Sequence, residues 1–366
     1  MSHINRLGMS ALGAALASPL GAERRKPSEL ELWFLNSVTK NGDAYAKELA
    51  IWNGVDWLAA PAPALGGSPT TPLSGGSPLA IHTSSEAVYI GGDFSGCDGS
   101  SANKIAKWDG TQWSTFSNGV TGAYSYVFAI MEFEGDLIIG GRFTTVGGVT
   151  CNNVARWNGS AWVAMGCLRN ISAGDAGQVE SFVEWEGELY ACGDFETITG
   201  ADADFFAKWN GSTWDTVGAG LGNNAWVLKV FQDKIVIGGY FASTALNVWN
   251  GSSFSDPGDT LVYVCQGALA LNTAGTELLA GSTGATVESW DGSTWSAFPN
   301  FSGALYGAAF WRGSWYVTGI LGSPYEGVAR WNGSSWVNVD NVAGEYGVFS
   351  HGVSCRDTIR GFNPPT

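Results

Sequence analysis

Seven times along the chain, a short segment ends in Trp, passes through Asn-Gly or Asp-Gly, and returns to a second aromatic residue. The copies join Trp52 to Trp57, Trp108 to Trp113, Trp157 to Trp162, Trp209 to Trp214, Trp249 to Phe254, Trp290 to Trp295 and Trp331 to Trp336. Asn-Gly and Asp-Gly are strong signals for a tight hairpin, because both residue types tolerate the positive φ that a two-residue turn demands. With Asn332-Gly333 as that turn, Trp331 faces Ser334 and Ala329 faces Trp336. Alternation then places Ala329, Trp331, Ser334 and Trp336 on one face, with the indoles diagonal and a small residue opposite Trp336. The same alanine recurs as Ala50, Ala106, Ala155 and Ala207, while Asn247 and Glu288 depart from it. Thirteen of the 18 tryptophans belong to these hairpins, so most have a structural task before any sugar-stacking one. An aromatic face on every hairpin needs a cover, and the next copy is the natural one.

A second phrase precedes each hairpin. Clear copies are YIGGDF (89–94), IIGGRF (138–143), YACGDF (190–195) and VIGGYF (236–241); LLAGST (278–283) and YVTGIL (316–321) are worn ones. Before these lie further apolar runs ending in turns, such as AIMEFEGD (129–136) and SFVEWEGE (181–188). Each unit therefore reads as four short strands, which is the blade of a β-propeller. The expected fold is all-β, a seven-bladed β-propeller over residues 31–355 with four-stranded blades; six or eight blades follow if a worn copy is misread. The first copy lacks a convincing first strand, and YGVFSHGVSC (346–355) is a strand without a repeat of its own. The C-terminal strand is thus expected to complete the first blade and close the ring, leaving no free sheet edge.

The pattern GGxF…NxIAxWDGxxW resembles the tryptophan-rich propeller repeat of fungal cortical polarity-marker proteins, which occurs also in uncharacterised bacterial and phage proteins. It is more distantly similar to kelch and galactose-oxidase-type propellers. The resemblance spans roughly residues 31–355 and implies a fold; propellers host many unrelated activities.

Charge narrows the partners. The net charge is −15, with 18 Lys and Arg against 33 Asp and Glu. A nucleic-acid binder would be expected to carry a basic face, so nucleic acid is set aside. No stretch is long and apolar enough to span a membrane. Six cysteines include no Cys-x-x-Cys pair. Cys192 and Cys265 read as buried thiols; Cys97 and Cys151 occupy equivalent loops of neighbouring units, where a disulfide is one option and free thiols the other. Residues 1–30 read either as a retained N-terminal arm that docks on an assembly partner or as a signal peptide cleaved near Ala15-Leu16-Ala17. Residues 356–366 form a C-terminal tail. The Asn-Gly-Ser triplets at Asn158, Asn210, Asn250 and Asn332 match glycosylation acceptors, but the turn alone explains them.

Candidate site residues follow from loop length. From the aromatic after Gly-Gly to the hairpin Trp there are 14 residues in units 2–4 but 8 in unit 5 (Phe241 to Trp249). The Pro/Gly/Ser-rich insertion at 61–78 lies on the same rim and reads as a loop with no core of its own. Variable loops on a rigid scaffold are where recognition is usually placed. The ligand-binding candidates there are Asp98, Arg142, Asp202 and Asp204, with Tyr124, Tyr126 and Trp226 near the starts of inner strands. Aromatic platforms with carboxylates suit a glycan or a peptide; the same residues equally serve loop turns and a channel plug. Asp202-x-Asp204 supplies too few oxygens for Ca²⁺, and His3, His82 and His351 are too few for copper or zinc. No Gly-x-Ser-x-Gly elbow, P-loop or His-Glu-x-x-His is present, and SWDGSTW (289–295) is one residue short of a sialidase-type Asp-box. No cofactor or metal is expected. The expected function is a non-catalytic recognition or assembly module, extracellular, at a cell surface or in a virion, the last implied by the phage members of the resemblance. The alternative is a secreted carbohydrate-active enzyme, which needs two facing carboxylates.

Overall fold

The structure is a computed structural model. It describes the backbone of Leu32–Leu35, Val38–Lys40, Asp43–Ala46, Leu49–Trp52, Trp57–Ala59, Leu73–Ser74 and Val353–Cys355, and residues 78–339 apart from short loop segments. The N-terminal arm, the C-terminal tail, Cys265 and His351 lie outside the described residues.

The described chain is all-β and folds as a β-propeller. Among the described residues there are seven four-stranded antiparallel sheets, here sheets 1–7. In sheets 2–7 the strands are hydrogen-bonded in chain order. Their first strands are β1 (Pro78–Thr83), β2 (Tyr126–Phe133), β3 (Gln178–Trp185), β4 (Ala225–Phe231), β5 (Leu269–Leu271) and β6 (Gly303–Trp311). Sheet 1 differs: Val353–Cys355, here β7, pairs antiparallel with Leu32–Leu35, whose other side pairs with Leu49–Trp52. Each first strand lies against the next, from β1 through to β7, and β7 lies against β1.

Sheet-to-sheet packing explains the Gly-Gly phrase. A Cβ on Gly91 would meet Val127 Cγ1 at 2.4 Å, and one on Gly140 would meet Phe182 at 2.6 Å and Val179 at 2.7 Å. The first glycine of the pair is thus the hollow that admits the next sheet's first strand. Cys192 and Thr318 stand at the same register and are fully buried, as expected of Cys192.

The hairpin register corrects the sequence expectation. Trp331 pairs directly with Trp336, and Ala329 with Asn338. The turn holds four residues, 332–335, not two. Asn332 does not take positive φ; Gly333 alone does, at 101°. Instead the Asn332 Oδ1 accepts the Ser334 and Ser335 N–H groups at 2.9 Å each. Asn158, Asn210, Asn250 and Asp291 bond their turns in the same way. The Asn332 N–H donates to Ser335 C=O, so the next pair, Trp331 and Trp336, is a non-hydrogen-bonded pair, where side chains approach closest. The ring centroids are 5.5 Å apart here and 4.7–5.5 Å in sheets 2–6.

The cover also comes from the other side. The residue leaving the last strand of one sheet enters the aromatic pair of the following sheet. Phe116 lies 5.3 Å from both Trp157 and Trp162. Phe298 lies 5.0 Å from Trp331 and 5.3 Å from Trp336. Met165 C=O accepts the Trp214 Nε1–H at 2.6 Å. In sheets 3, 4 and 7 the aromatic pair is thus covered by the preceding copy, where the sequence suggested the next.

The long loops of units 2–4 are not structureless. Each folds into a short hairpin that a third strand completes, taken from the connector arriving from the preceding unit. The three small sheets join Leu73–Ser74 to Gly96–Cys97 and Ser100–Ser101; Val120–Thr121 to Thr145–Val146 and Val149–Thr150; and Leu168–Arg169 to Thr197–Ile198 and Ala201–Asp202. The insertion at 61–78 therefore contributes two residues to a sheet, against the expectation of a loop alone. Cys97 is buried within the first of these small sheets and Cys151 directly after the last strand of the second, and no disulfide joins them.

Trp336 is 4% exposed whereas Trp331 is only half-buried. Trp336→Ala should cost about 3–5 kcal/mol and Trp331→Ala distinctly less, read as shifts of the urea midpoint at constant slope.

Candidate functional site

Antiparallel order in every sheet puts first-to-second and third-to-fourth turns on one rim and the longer connections on the other. On the long-loop rim, one repeat position follows Gly-Gly: Asp93, Arg142, Asp194 and Tyr240 in sheets 2–5. Opposite it, at the mouth end of the first strand, stand Tyr126 in sheet 3 and Gln178 in sheet 4. In sheet 5 the Tyr240 N–H donates to Asn224 C=O.

Two residues further on, each of these first strands carries a bulge. The residue that the register skips is Leu79 in β1, Phe128 in β2, Glu180 in β3, Trp226 in β4 and Tyr306 in β6. A bulge bends its strand and re-aims a side chain, which suits the mouth of a channel.

These positions converge on sheets 3–5. The Arg142 guanidinium carbon lies 5.6 Å from the Tyr124 ring centroid. Tyr126 and Phe128 stack at 5.5 Å with 10° between planes. Tyr124 holds φ at 54°, a costly conformation for a bulky residue, and is 72% exposed. Tyr240 is 54% exposed, and these two are the exposed large hydrophobic side chains among the described residues. Trp226 is half-buried beside Tyr240's strand.

Between the two aromatic groups lies blade-like sheet 4 with its acids. Glu180 is 7% exposed. Burial, and secondly the neighbouring Asp194 carboxylate, push its carboxyl up to about 8, while Gln178 Nε2, donating at 2.6 Å, opposes the rise. Glu180 is therefore mainly protonated at neutral pH, poised as a hydrogen-bond donor.

Of the sequence candidates, the structure brings Tyr124, Tyr126 and Arg142 together and sets Trp226 two sheets along the same rim. Asp202 lies on the small strand Ala201–Asp202. Asp98 and Asp204 lie outside the described residues. Sequence reasoning missed Phe128, Glu180 and Tyr240. Tyr240 carried a signal, since VIGGYF aligns it with Arg142. It missed also a polar pair on the opposite rim, where His82 Nε2 lies 3.9 Å from Glu132 and holds that carboxyl below its ordinary value. Among the described residues no group of three or more His, Cys, Asp or Glu is arranged to hold a metal ion, and no helix is long and apolar enough to cross a membrane.

A family profile described as "Domain of unknown function (DUF5122) beta-propeller" matches residues 135–159, the segment from the first turn of sheet 3 to its Asn-Gly turn. No curated protein matches the chain. Among solved structures, the chain is similar to the WD40 beta propeller domain of Doa1, at 12% identity and TM-score 0.47 over 74% of this chain and 86% of that one. It is similar also to the RRP9 WD40 repeats, at 13% identity and TM-score 0.46 over 71% and 76% of the two chains. The computationally designed Ika8 protein gives 14% identity and TM-score 0.44 over 71% and 73%.

Glu180 sets a pH dependence. The native carboxyl holds its proton to about pH 8, whereas the unfolded one releases it near its ordinary value of 4.5. Its stability contribution is fully present below pH 4.5 and is lost as pH rises to 8. Relative to Glu180→Gln, the wild-type protein should lose on the order of a few kcal/mol across that window in urea unfolding.

Proposed function

We propose that this chain is a non-catalytic recognition or assembly module that binds a glycan or protein ligand on its long-loop rim. The observation that carries the reading is the aromatic and arginine surface of sheets 3–5, with Tyr124 72% and Tyr240 54% exposed at the mouth of a rigid scaffold. Aromatic faces exposed at a rim supply contact area at small entropic cost, and ring faces suit both sugars and peptide side chains. In this reading the seven sheets are blades of one seven-bladed ring. The pairing of β7 with Leu32–Leu35 and its position between β6 and β1 support closure by the C-terminal strand. The setting is extracellular, at a cell surface or in a virion, with residues 1–30 as the arm that meets an assembly partner. The tryptophan-rich repeat of the polarity-marker, bacterial and phage propellers supports this setting.

One observation favours a second reading, a carbohydrate-active enzyme. Glu180 carries a proton at neutral pH beside the Asp194 carboxylate, and acid catalysis of glycoside cleavage needs an acid and a base in such contrasting states.

A glycan array with product analysis separates the two. Binding without turnover, weakened at least about tenfold by Trp226→Ala or Tyr124→Ala, is the expected result. Turnover abolished by Glu180→Gln would replace the recognition reading with the enzymatic one.

A further inference from the structure

Among the described residues Asn-Gly occurs in two settings that differ in chemistry. In the hairpin turns at Asn158, Asn210, Asn250 and Asn332, both residues are exposed on the rim opposite the long loops. There the asparagine side-chain oxygen collects three donors. Asn158 Oδ1 accepts the Ser160 N–H at 3.0 Å, the Ser160 Oγ–H at 2.9 Å and the Ala161 N–H at 2.9 Å. Asn250 Oδ1 accepts the Ser252 N–H, the Ser252 Oγ–H and the Ser253 N–H, each at 2.9 Å. Such donors stabilise the negative charge that attack on the carboxamide carbon places on its oxygen. The attacking group is the next residue: Gly159 and Gly251 are exposed, have no Cβ to shield the nitrogen, and find no acceptor for their N–H among the described residues. The amide nitrogens divide the turns further. Asn210 Nδ2 donates to Thr213 and Asp215 at 3.0 Å, and Asn332 Nδ2 to Ser335 at 3.2 Å, whereas Asn158 and Asn250 Nδ2 meet no acceptor among the described residues. Asn118-Gly119 is the second setting. Gly119 is buried, and its N–H donates to Phe116 C=O at 2.9 Å.

We propose that Asn158 and Asn250 are sites of spontaneous deamidation, each promoted by the donors of its own hairpin turn. The glycine nitrogen bonds to the asparagine Cγ, the Cγ–Nδ2 bond breaks, and ammonia leaves with the proton that the glycine nitrogen gave up. The cyclic imide then takes up water at one of its two carbonyls. Opening at Cγ gives aspartate; opening at the main-chain carbonyl gives isoaspartate, with the backbone routed through the former side chain. Nothing is oxidised or reduced. Aspartate keeps the turn, as Asp291 shows by accepting the Ser293 and Thr294 N–H groups at 2.8 and 2.7 Å. Isoaspartate adds a methylene to the backbone between Trp157 and Trp162, or between Trp249 and Phe254, which the structure pairs directly.

The test is peptide mapping by mass spectrometry of the full chain, aged in mildly alkaline buffer with and without urea. In the folded chain, aspartate and isoaspartate should appear at Asn158 and Asn250 about tenfold faster than at Asn118, with Asn210 between them. Unfolding in urea should slow Asn158 and Asn250, speed Asn118 and bring their rates together, because every site then has the same following glycine and no turn. Ser160→Ala removes one of the three donors and should slow Asn158 about fivefold while leaving Asn250 unchanged. Equal rates at Asn158 and Asn118 in the folded chain would overturn the proposal. So would faster conversion of Asn158 and Asn250 in urea than in the folded chain, since the turn would then be holding the carboxamide away from the glycine nitrogen. Unchanged or faster conversion of Asn158 in Ser160→Ala would equally remove the role given to the donors.

Discussion

The structure depends on one contact made repeatedly: the chain leaving a sheet inserts an apolar residue between two aromatic rings of the next. Phe116 and Phe298 do this with a phenyl ring, and Met165 adds a backbone acceptor for an indole N–H. The contact is directional, because in sheets 3, 4 and 7 it is the predecessor that covers the pair. It is reinforced nearer the axis, where a glycine in one sheet admits Val127, Phe182 or Leu305 from its successor. Stability in such an arrangement is largely a sum of similar neighbour terms. Among the described residues the buried side chains fall into several clusters: one within sheet 2, three that each span two neighbouring sheets, and one that runs across sheets 5–7.

The loop rim uses the same logic with backbone in place of rings. In sheets 2–4 the arriving connector is the third strand of a small sheet. Where the loop is short, side chains take over: Thr244 Oγ1 donates to Asp259 at 2.7 Å, and Thr260 Oγ1 donates to Glu288 at 2.5 Å. Glu288 stands where other repeats keep alanine, so the departure from the repeat has a partner. The long loops also share a strained residue just before the third strand. Lys104, Asn153 and Phe205 all hold φ near +70°; the C=O of each accepts from a glycine of the second strand, and the N–H of each donates to the C=O of the phenylalanine just beyond that strand. Three unlike side chains accept one costly conformation because the backbone bonds on both sides fix it.

Much of this was legible in the residues. Asn-Gly or Asp-Gly marked each of the seven aromatic hairpins, and the count of 14 against 8 residues picked out the loops that carry small sheets. The register was not legible. Asn332 can serve a turn through its backbone or its side chain, and the two choices differ by two residues in the strand pairing, moving the partner of Trp331 from Ser334 to Trp336. The structure takes the side-chain option, and the indoles become direct rather than diagonal neighbours. The site divides in the same way. Tyr124, Tyr126 and Arg142 could be placed together because strand ends were readable, and Tyr240 was readable from its alignment with Arg142. Phe128 and Glu180 were not, since a bulge has no residue signature and Glu180 stands where other repeats place Leu79, Phe128 and Trp226.

The pairing of Leu32 with Cys355 has a temporal meaning. Most other pairings in the molecule close over one hairpin or one repeat, and can form as the chain emerges. This one joins strands more than three hundred residues apart, and long-range pairing is the slow part of folding a sheet. Leu32–Leu35 is made first and matched last. Throughout synthesis that strand presents an unpaired edge to everything around it, and a foreign strand that reached it before β7 would take its place.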